Sequence, residues 1–492
     1  MNNFNRFACP AFALALLAGA AQAATIKITS RDAAGVGFND PTVVAPVGGN
    51  PGTTLGEQRM NVYKYVAGLW ENALASDVVI TVSAGWEPLT CTSTTAVLGS
   101  ASPWNIWHDF PGGKAGTWYP QALANKISGE NLAADQPDDG SGFGNVDIKT
   151  QFNINLGNAG CLDGAPFYLG LDGHAGSLIN FVETLEHELG HGLGFTVLTV
   201  NSSTGQRLAG DGSAYVTDGG LPSIWEGFMY DNTAGKTWLD MSTAERKASA
   251  INPLQLAWKS DAMLVAAKAT LSATPVIKVV TPAPTGSGFY NYGTASFGSA
   301  VTSGASFGAL ATVTPDPVTG PGCAAFSAAN AAAVAGKVAI IDRGACTFAI
   351  KAKNAQNAGA IGVVIANNAA GAAPGLGGAD ATVVIPVVSV SQADGVTLKA
   401  VVAAATHYGS RTKAGVATSA FTSDPTRMAG ADAAGRPLLY TPNPLVSGSS
   451  VSHWDVSAFP NLLMEPNINA DLTVTLVPPL DLTKPLLSDL GW

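Results

Sequence analysis

The sequence predicts an α+β chain in which one domain is interrupted by a smaller α/β domain. Three observations carry the expectation. Short strand-like runs alternate with helical stretches up to about residue 270, the composition changes sharply near residue 281, and a strand–helix–strand unit with its own apolar periodicity follows.

Residues 1–23 carry one arginine, an apolar run too short to span a bilayer, and small residues at Ala21 and Ala23. That pattern predicts a secretory signal peptide cleaved before Ala24, and with it an extracellular or periplasmic location. Removing it from the 492 residues leaves 469, room for two to four domains at about 100–200 residues each. A net charge of −10 and a charged fraction of only 12% exclude a nucleic-acid partner, because there is no basic surface to neutralise phosphates. No second apolar run predicts a membrane span in the mature chain. Its cysteines are Cys91, Cys161, Cys323 and Cys346, an even number in an exported protein, which predicts two disulfides. Three connectivities are possible; the placement of the first two and the last two in different predicted domains favours Cys91–Cys161 and Cys323–Cys346.

In the first part, residues 26–29 read as a strand. Residues 55–75 read as a helix, with Met60, Tyr63, Val66 and Leu69 at helical spacing, and 78–82 as a second strand. Residues 177–193 form the next clear helix, with Leu178, Phe181, Leu185 and Leu189 on one face and Gly192 and Gly194 as stop signals. A helix over 243–251 ends before Pro253. Residues 281–322 are rich in Gly, Ser, Thr and Pro. A buried strand at 337–341, a helix at 348–359 and a second buried strand at 361–366 then make a βαβ unit, with a further strand at 383–390 and helix at 392–402.

The chemistry lies in the segment His187-Glu188-Leu189-Gly190-His191. Two histidines four apart on a helix project from one face and can chelate one metal, while Glu188 is placed to reach a water on that metal. A catalytic zinc takes three protein ligands and keeps one position open. The sequence runs on through Gly194, but Val197 stands where a third histidine would close the pattern HExxHxxGxxH. Three residues elsewhere are candidates: Glu226, His174 and His453. Glu226 has its aspartate, Asp231, five residues on rather than four; His174 precedes the helix; His453 lies in SHWDVSAFPNLLMEP.

The pair HELGHGLGF and SHWDVSAFPNLLMEP resembles the leishmanolysin-like branch of the metzincins, in which a long insertion separates the glycine from the third histidine. The resemblance covers about residues 25–270 and 413–492. It implies a zinc endopeptidase with His187, His191 and His453 as ligands, Glu188 as general base and Met464 in a Met-turn beneath the metal. A second resemblance is carried by GKVAIIDRGACTF (336–348) and KAKNAQNAGAIGVVI (351–365), which are similar to protease-associated (PA) domains. It covers about 275–412 and implies a non-catalytic binding or access-gating role. The expected organisation is therefore a signal peptide at 1–23, a metzincin-like peptidase domain at 24–274 and 413–492, and the PA domain inserted at 275–412.

Expected partners are protein or peptide substrates. A rival reading is a secreted binding protein that acts through its PA domain around a vestigial or structural metal site. Asp135, Asp138 and Asp139 form an acidic loop that could take calcium but reads more simply as solvated. Asp342 and Arg343 read as a turn ion pair, and His108 and His407 as structural or solvated.

Overall fold

The computed structural model of the chain describes residues 22–492 except 94, 137–144, 177, 296, 370–371, 378–379, 409–414 and 469–471. All but the last two positions of the expected signal peptide, and both Asp138 and Asp139, lie outside the described residues. The chain forms two compact units. The first comprises residues up to Thr270, Arg436–Val456 and Pro460–Trp492; the second comprises Leu271–Gly435 and Ser457–Phe459.

The first unit is built on a mixed four-stranded sheet. Strand β1 (Ile26–Ser30) pairs in parallel with β2 (Ile80–Glu87), β2 pairs in parallel with β4 (Ile148–Asn153), and β3 (Gly99–Pro103) runs antiparallel along the outer edge of β4. Strand β2 is longer than its sequence suggests. It runs on through Ser83, Ala84 and Gly85, weak strand formers that are held because the strand is flanked on both sides and almost fully buried. Helix α1 (Leu55–Ala73) starts at a capping box: Thr54 accepts from the Glu57 N–H at 3.2 Å, and the Glu57 carboxylate accepts from the Thr54 N–H. It buries Val62, Tyr63, Val66 and Trp70.

Helix α2 (Phe181–Leu193) is shorter than the sequence pattern because Ile179–Asn180 pair instead with Phe167–Tyr168, and the Asn180 side chain caps the helix by accepting from the Val182 N–H at 3.1 Å. Its end is set by Gly194, whose φ of +119° suits a residue without Cβ. Gly192 has a different task from the stop signal expected of it. A Cβ there would lie 2.3 Å from Ile148 Cγ2, so the glycine lets α2 pack directly on β4. Tyr63, Trp86, Phe152, Phe167 and Phe181 lock the layers together through ring contacts of 4.8–6.2 Å, among them Phe152–Phe181 at 4.9 Å and Phe167–Phe181 at 4.8 Å. A disulfide joins Cys91 to Cys161 in this unit.

The second unit carries an eight-stranded sheet. Its strands are β5 (Ala273–Val280), β6 (Gly288–Asn291), β7 (Ser306–Thr312), β8 (Val338–Asp342), β9 (Gly362–Ala366), β10 (Val387–Val390) and β11 (Thr418–Met428), with the short Gly293–Thr294 strand at one edge. The spatial order is β6-β5-β11-β7-β8-β9-β10 and then Gly293–Thr294. The run β7-β8-β9-β10 is parallel, with α3 (Phe348–Asn357) crossing from β8 to β9 and α4 (Gln392–Ala405) following β10. Both faces are covered. Val338, Ile340 and Val364 belong to one core with Leu398 and Val401 of α4, while Ala339, Ile341 and Ile365 belong to the other with Ala352 and Ala355 of α3. This is why these strands read as unbroken apolar runs. The unit extends beyond residues 275–412 because β5 and β11 pair along their length, from Thr274↔Asp424 to Val280↔Thr418. Asp342 pairs with Lys399 at 2.7 Å rather than with Arg343, which donates to Asn367 at 3.0 Å. Cys323 and Cys346 form the disulfide of this unit.

At the end of β11, Asp424 accepts from Thr426 N–H, Thr426 O–H and Arg427 Nε at 3.0, 2.6 and 2.7 Å, and these bonds, led by the Thr426 hydroxyl, hold its carboxyl down at about 2. A depressed folded-state value stabilises above the ordinary aspartate range and loses that contribution as pH falls through the folded value. Asp424→Asn is therefore expected to lower the melting temperature at pH 7, with the gap from wild type closing between pH 3.8 and 2 in a pH series of thermal unfolding.

Candidate metal centre

Three histidines meet in the first unit. His187 and His191 come from α2, one turn apart, and His453 from the loop that follows Arg436. All three are buried, and their ring nitrogens lie within 4.8 Å of one another. His191 Nε2 stands 3.1 Å from His187 Nε2 and 3.1 Å from His453 Nε2.

The opposite ring nitrogens show which protons are present. His187 Nδ1 lies 2.7 Å from the Leu463 carbonyl, His191 Nδ1 2.7 Å from the Phe195 carbonyl, and His453 Nδ1 2.8 Å from the Ser449 carbonyl. A carbonyl only accepts, so each Nδ1 carries the hydrogen and each neutral ring presents its Nε2 lone pair inward. Burial keeps the rings neutral: it pushes His187 down to about 4 and, with the neighbouring His187, His453 down to about 3, while burial and both partners hold His191 well below the usual range. Three converging lone pairs repel one another unless a cation sits among them. Three nitrogens each about 2.0–2.1 Å from one tetrahedral metal lie roughly 3.3 Å apart, close to the spacings of the triad. The residues present therefore fit a divalent metal.

Glu188, one residue on from the first histidine, is half-buried and turned towards the sheet edge, where its carboxylate accepts from the Ala101 N–H of β3. Desolvation pushes its carboxyl up to about 8 in the metal-free site, against the pull of that bond, and a cation held by the neighbouring rings would favour the ionised carboxylate. Met464 is fully buried beside the other face of the helix. A Cβ on Gly190 would meet its Sδ at 2.7 Å, so the glycine one residue before His191 is what lets the methionine approach.

The end of α2 is tied down by backbone and indole donors. The Gly194 N–H donates to the Gly190 and His191 carbonyls, the Phe195 N–H to Gly190, the Trp492 indole to Leu193 at 2.9 Å, and the Trp225 indole to Gly194 at 2.7 Å. These backbone and indole partners are the part of the site that residue-type reasoning passes over. Only their spacing hints at them: Phe195 and Ser449 each stand four residues from the histidine they hold.

The other candidates fall elsewhere. Glu226 is fully buried, yet its carboxylate is taken by Arg207 Nη2 and Nε at 2.6 and 2.7 Å and by the Ser223 N–H at 2.9 Å. His174 is exposed beside Asp172, at 3.3 Å. His108 bridges Asp109 and the Gly210 carbonyl at 2.6 and 2.7 Å, and His407 and Asp135 are exposed.

A PA-domain family profile matches residues 307–398, so the chain contains a PA domain, within the second unit. No curated protein matches the chain. Solved structures similar to it include BSAP, a zinc aminopeptidase from Bacillus subtilis (21% identity over 34% of this chain and 36% of that one, TM-score 0.20). Others are an aminopeptidase from Aneurinibacillus sp. strain AM-1 (18%, 41% and 42%, TM-score 0.20) and the subtilisin-like protease Apa1 from the Antarctic psychrotroph Pseudoalteromonas sp. AS-11 (21%, 31% and 34%, TM-score 0.21). The chain spans only about a third to two fifths of the length of these proteins.

Removing the Glu226 carboxylate leaves Arg207 charged in a largely buried site. Glu226→Ala is expected to cost about 3–5 kcal/mol of stability, whereas the exposed His174→Ala should change it by less than about 0.5 kcal/mol. Urea unfolding of the two variants measures both.

Proposed function

We propose that this chain is an exported, zinc-dependent endopeptidase of the leishmanolysin-like metzincin type. The observation that carries the reading is the convergence of three neutral, carbonyl-anchored imidazoles with a carboxyl group, Glu188, on the same helix as two of them. Zinc bound by His187, His191 and His453 would supply a Lewis acid that polarises a scissile carbonyl and makes water a better nucleophile at neutral pH. The chain's own groups do the rest. Glu188 takes the proton from the attacking water on its carboxylate and delivers it to the nitrogen of the leaving amine, and the Ala101 N–H holds that carboxylate in place. The carbonyls of Leu463, Phe195 and Ser449 keep the three rings in the ligating tautomer. Met464 floors the site as the Met-turn residue.

Among the described residues three side chains converge rather than four, which favours catalysis over a structural role, since a structural zinc is closed by protein on all sides. The PA domain supports a second reading, in which the chain binds protein through that domain alone. The two readings diverge on one set of variants. Glu188→Ala should keep stoichiometric zinc but lose roughly 10²–10⁴-fold in casein hydrolysis. His453→Ala should lose the zinc itself, and with it all activity that a chelator abolishes in the wild type. Casein hydrolysis at the wild-type rate by Glu188→Ala, or stoichiometric zinc in His453→Ala, would overturn the proposal.

A further inference from the structure

The segment around Glu226 contributes no ligand, but the residue before it reaches the metal centre by another route. Trp225 lies in the short 3-10 turn Ile224–Gly227 and is 1% exposed. The turn is held firmly. The Ile224 N–H donates to the Trp118 carbonyl at 3.0 Å, the Glu226 carboxylate caps Ser223 and grips Arg207, and the Trp225 ring packs edge-on against Trp258 at 4.8 Å. From this fixed base the Trp225 indole donates to the Gly194 carbonyl at 2.7 Å, and its ring packs against Phe195 at 5.3 Å. Phe195 is fully buried, and its ring also packs against Trp454 at 5.3 Å and edge-on to His191 at 6.4 Å.

Those two residues are the ones on which ligand geometry depends. The Phe195 carbonyl holds His191 Nδ1, and Trp454 follows His453 in sequence. Gly194, in the left-handed conformation, is the swivel between α2 and Phe195, and its carbonyl is buried. The peptide leading into Phe195 is held by three bonds, the Phe195 N–H on the Gly190 carbonyl at 2.9 Å and the Thr196 N–H and Trp225 indole on the Gly194 carbonyl at 2.8 and 2.7 Å, and the indole is the one side-chain donor among them.

Building on the zinc-peptidase reading above, we infer that Trp225 is a positioning residue for the metal centre: its indole N–H fixes the Gly194 carbonyl and its ring clamps Phe195 against Trp454, which together orient the His191 imidazole. Partners at one remove from a metal change affinity by about ten- to a hundredfold when they are lost. The effect of Trp225 falls on the ligand and not on the substrate.

The test uses the full-length protein with Trp225→Phe, which keeps an aromatic ring but removes the donor. Trp238→Phe serves as the control; it also loses a buried indole bond, to Ser249 at 2.9 Å, but one that serves no part of α2. Zinc affinity is measured by competition with a chromophoric chelator, and ligand geometry by the visible spectrum of the cobalt-substituted protein. Trp225→Phe should bind zinc about tenfold or more weakly, shift the cobalt bands, and lower kcat with KM unchanged, while Trp238→Phe does none of these. A folded Trp225→Phe with wild-type zinc affinity and an unchanged cobalt spectrum overturns the inference. If Trp225→Phe does not fold, Phe195→Leu decides in its place: it keeps the indole bond but removes the clamped ring, and a wild-type cobalt spectrum in that variant is equally fatal. Wild-type protein that binds neither zinc nor cobalt removes the zinc reading itself, and the role of Trp225 with it, which separates the two failures.

Discussion

The commitment of each histidine Nδ1 to a backbone carbonyl is the constraint on which the first unit depends. Once Leu463, Phe195 and Ser449 have taken those hydrogens, the three Nε2 lone pairs converge, with His191 Nε2 3.1 Å from each of the other two, and no rearrangement of protons within the triad relieves them. The surrounding structure holds that arrangement in place. Gly192 brings α2 onto β4, Gly190 admits Met464, and the Phe195–Trp454 contact joins the end of the helix to the loop that carries His453. A polar cluster with lone pairs but no donors inside would be stabilised by a bound cation, so on the proposed reading metal binding would add to the stability of this unit.

Some of this could be read directly from residue order. The spacing of His187 and His191 on a helix with apolar residues on the opposite face specifies two of the three rings, and the alternating core positions Val338 to Ile341 specify a strand buried on both faces. Other features could not. The Leu463 carbonyl that orients His187 is 276 residues away in sequence and is a backbone atom, so no residue type marks it. Gly192 looked like a helix terminator because glycine ends helices more often than it packs beneath them, and only the position of Ile148 distinguishes the two. Glu226 was one of three candidates for the third ligand, with its aspartate out of step in spacing; its partner, Arg207, is recognisable only after the loop folds back.

The second unit shows the same contrast between local and distant information. Its βαβ core was legible because α3 and the strands beside it follow one another in sequence. Strand β11 was not, because its pairing with β5 joins segments on either side of the whole domain, and its own sequence, with Pro425 and several serines and threonines, lacks an apolar run. Lys351 is similar: it occupies a helix position that reads as solvent-facing, yet it is fully buried, with its ammonium on the Pro321 carbonyl.

Helix α2 carries two internal glycines, at 190 and 192, each costing the isolated helix about 1 kcal/mol relative to alanine. Both are there for tertiary approach, so the segment that bears two of the ligands is a poor helix on its own and is completed by docking on β4 and Met464. The third histidine enters from 262 residues downstream, and closing that loop carries an entropic cost that the helix alone does not. Convergence of the three rings therefore needs long-range assembly. On the proposed reading as an exported protein, a chain crossing a membrane unfolded would present its histidines one at a time, and the triad would come together in the compartment where the protein folds.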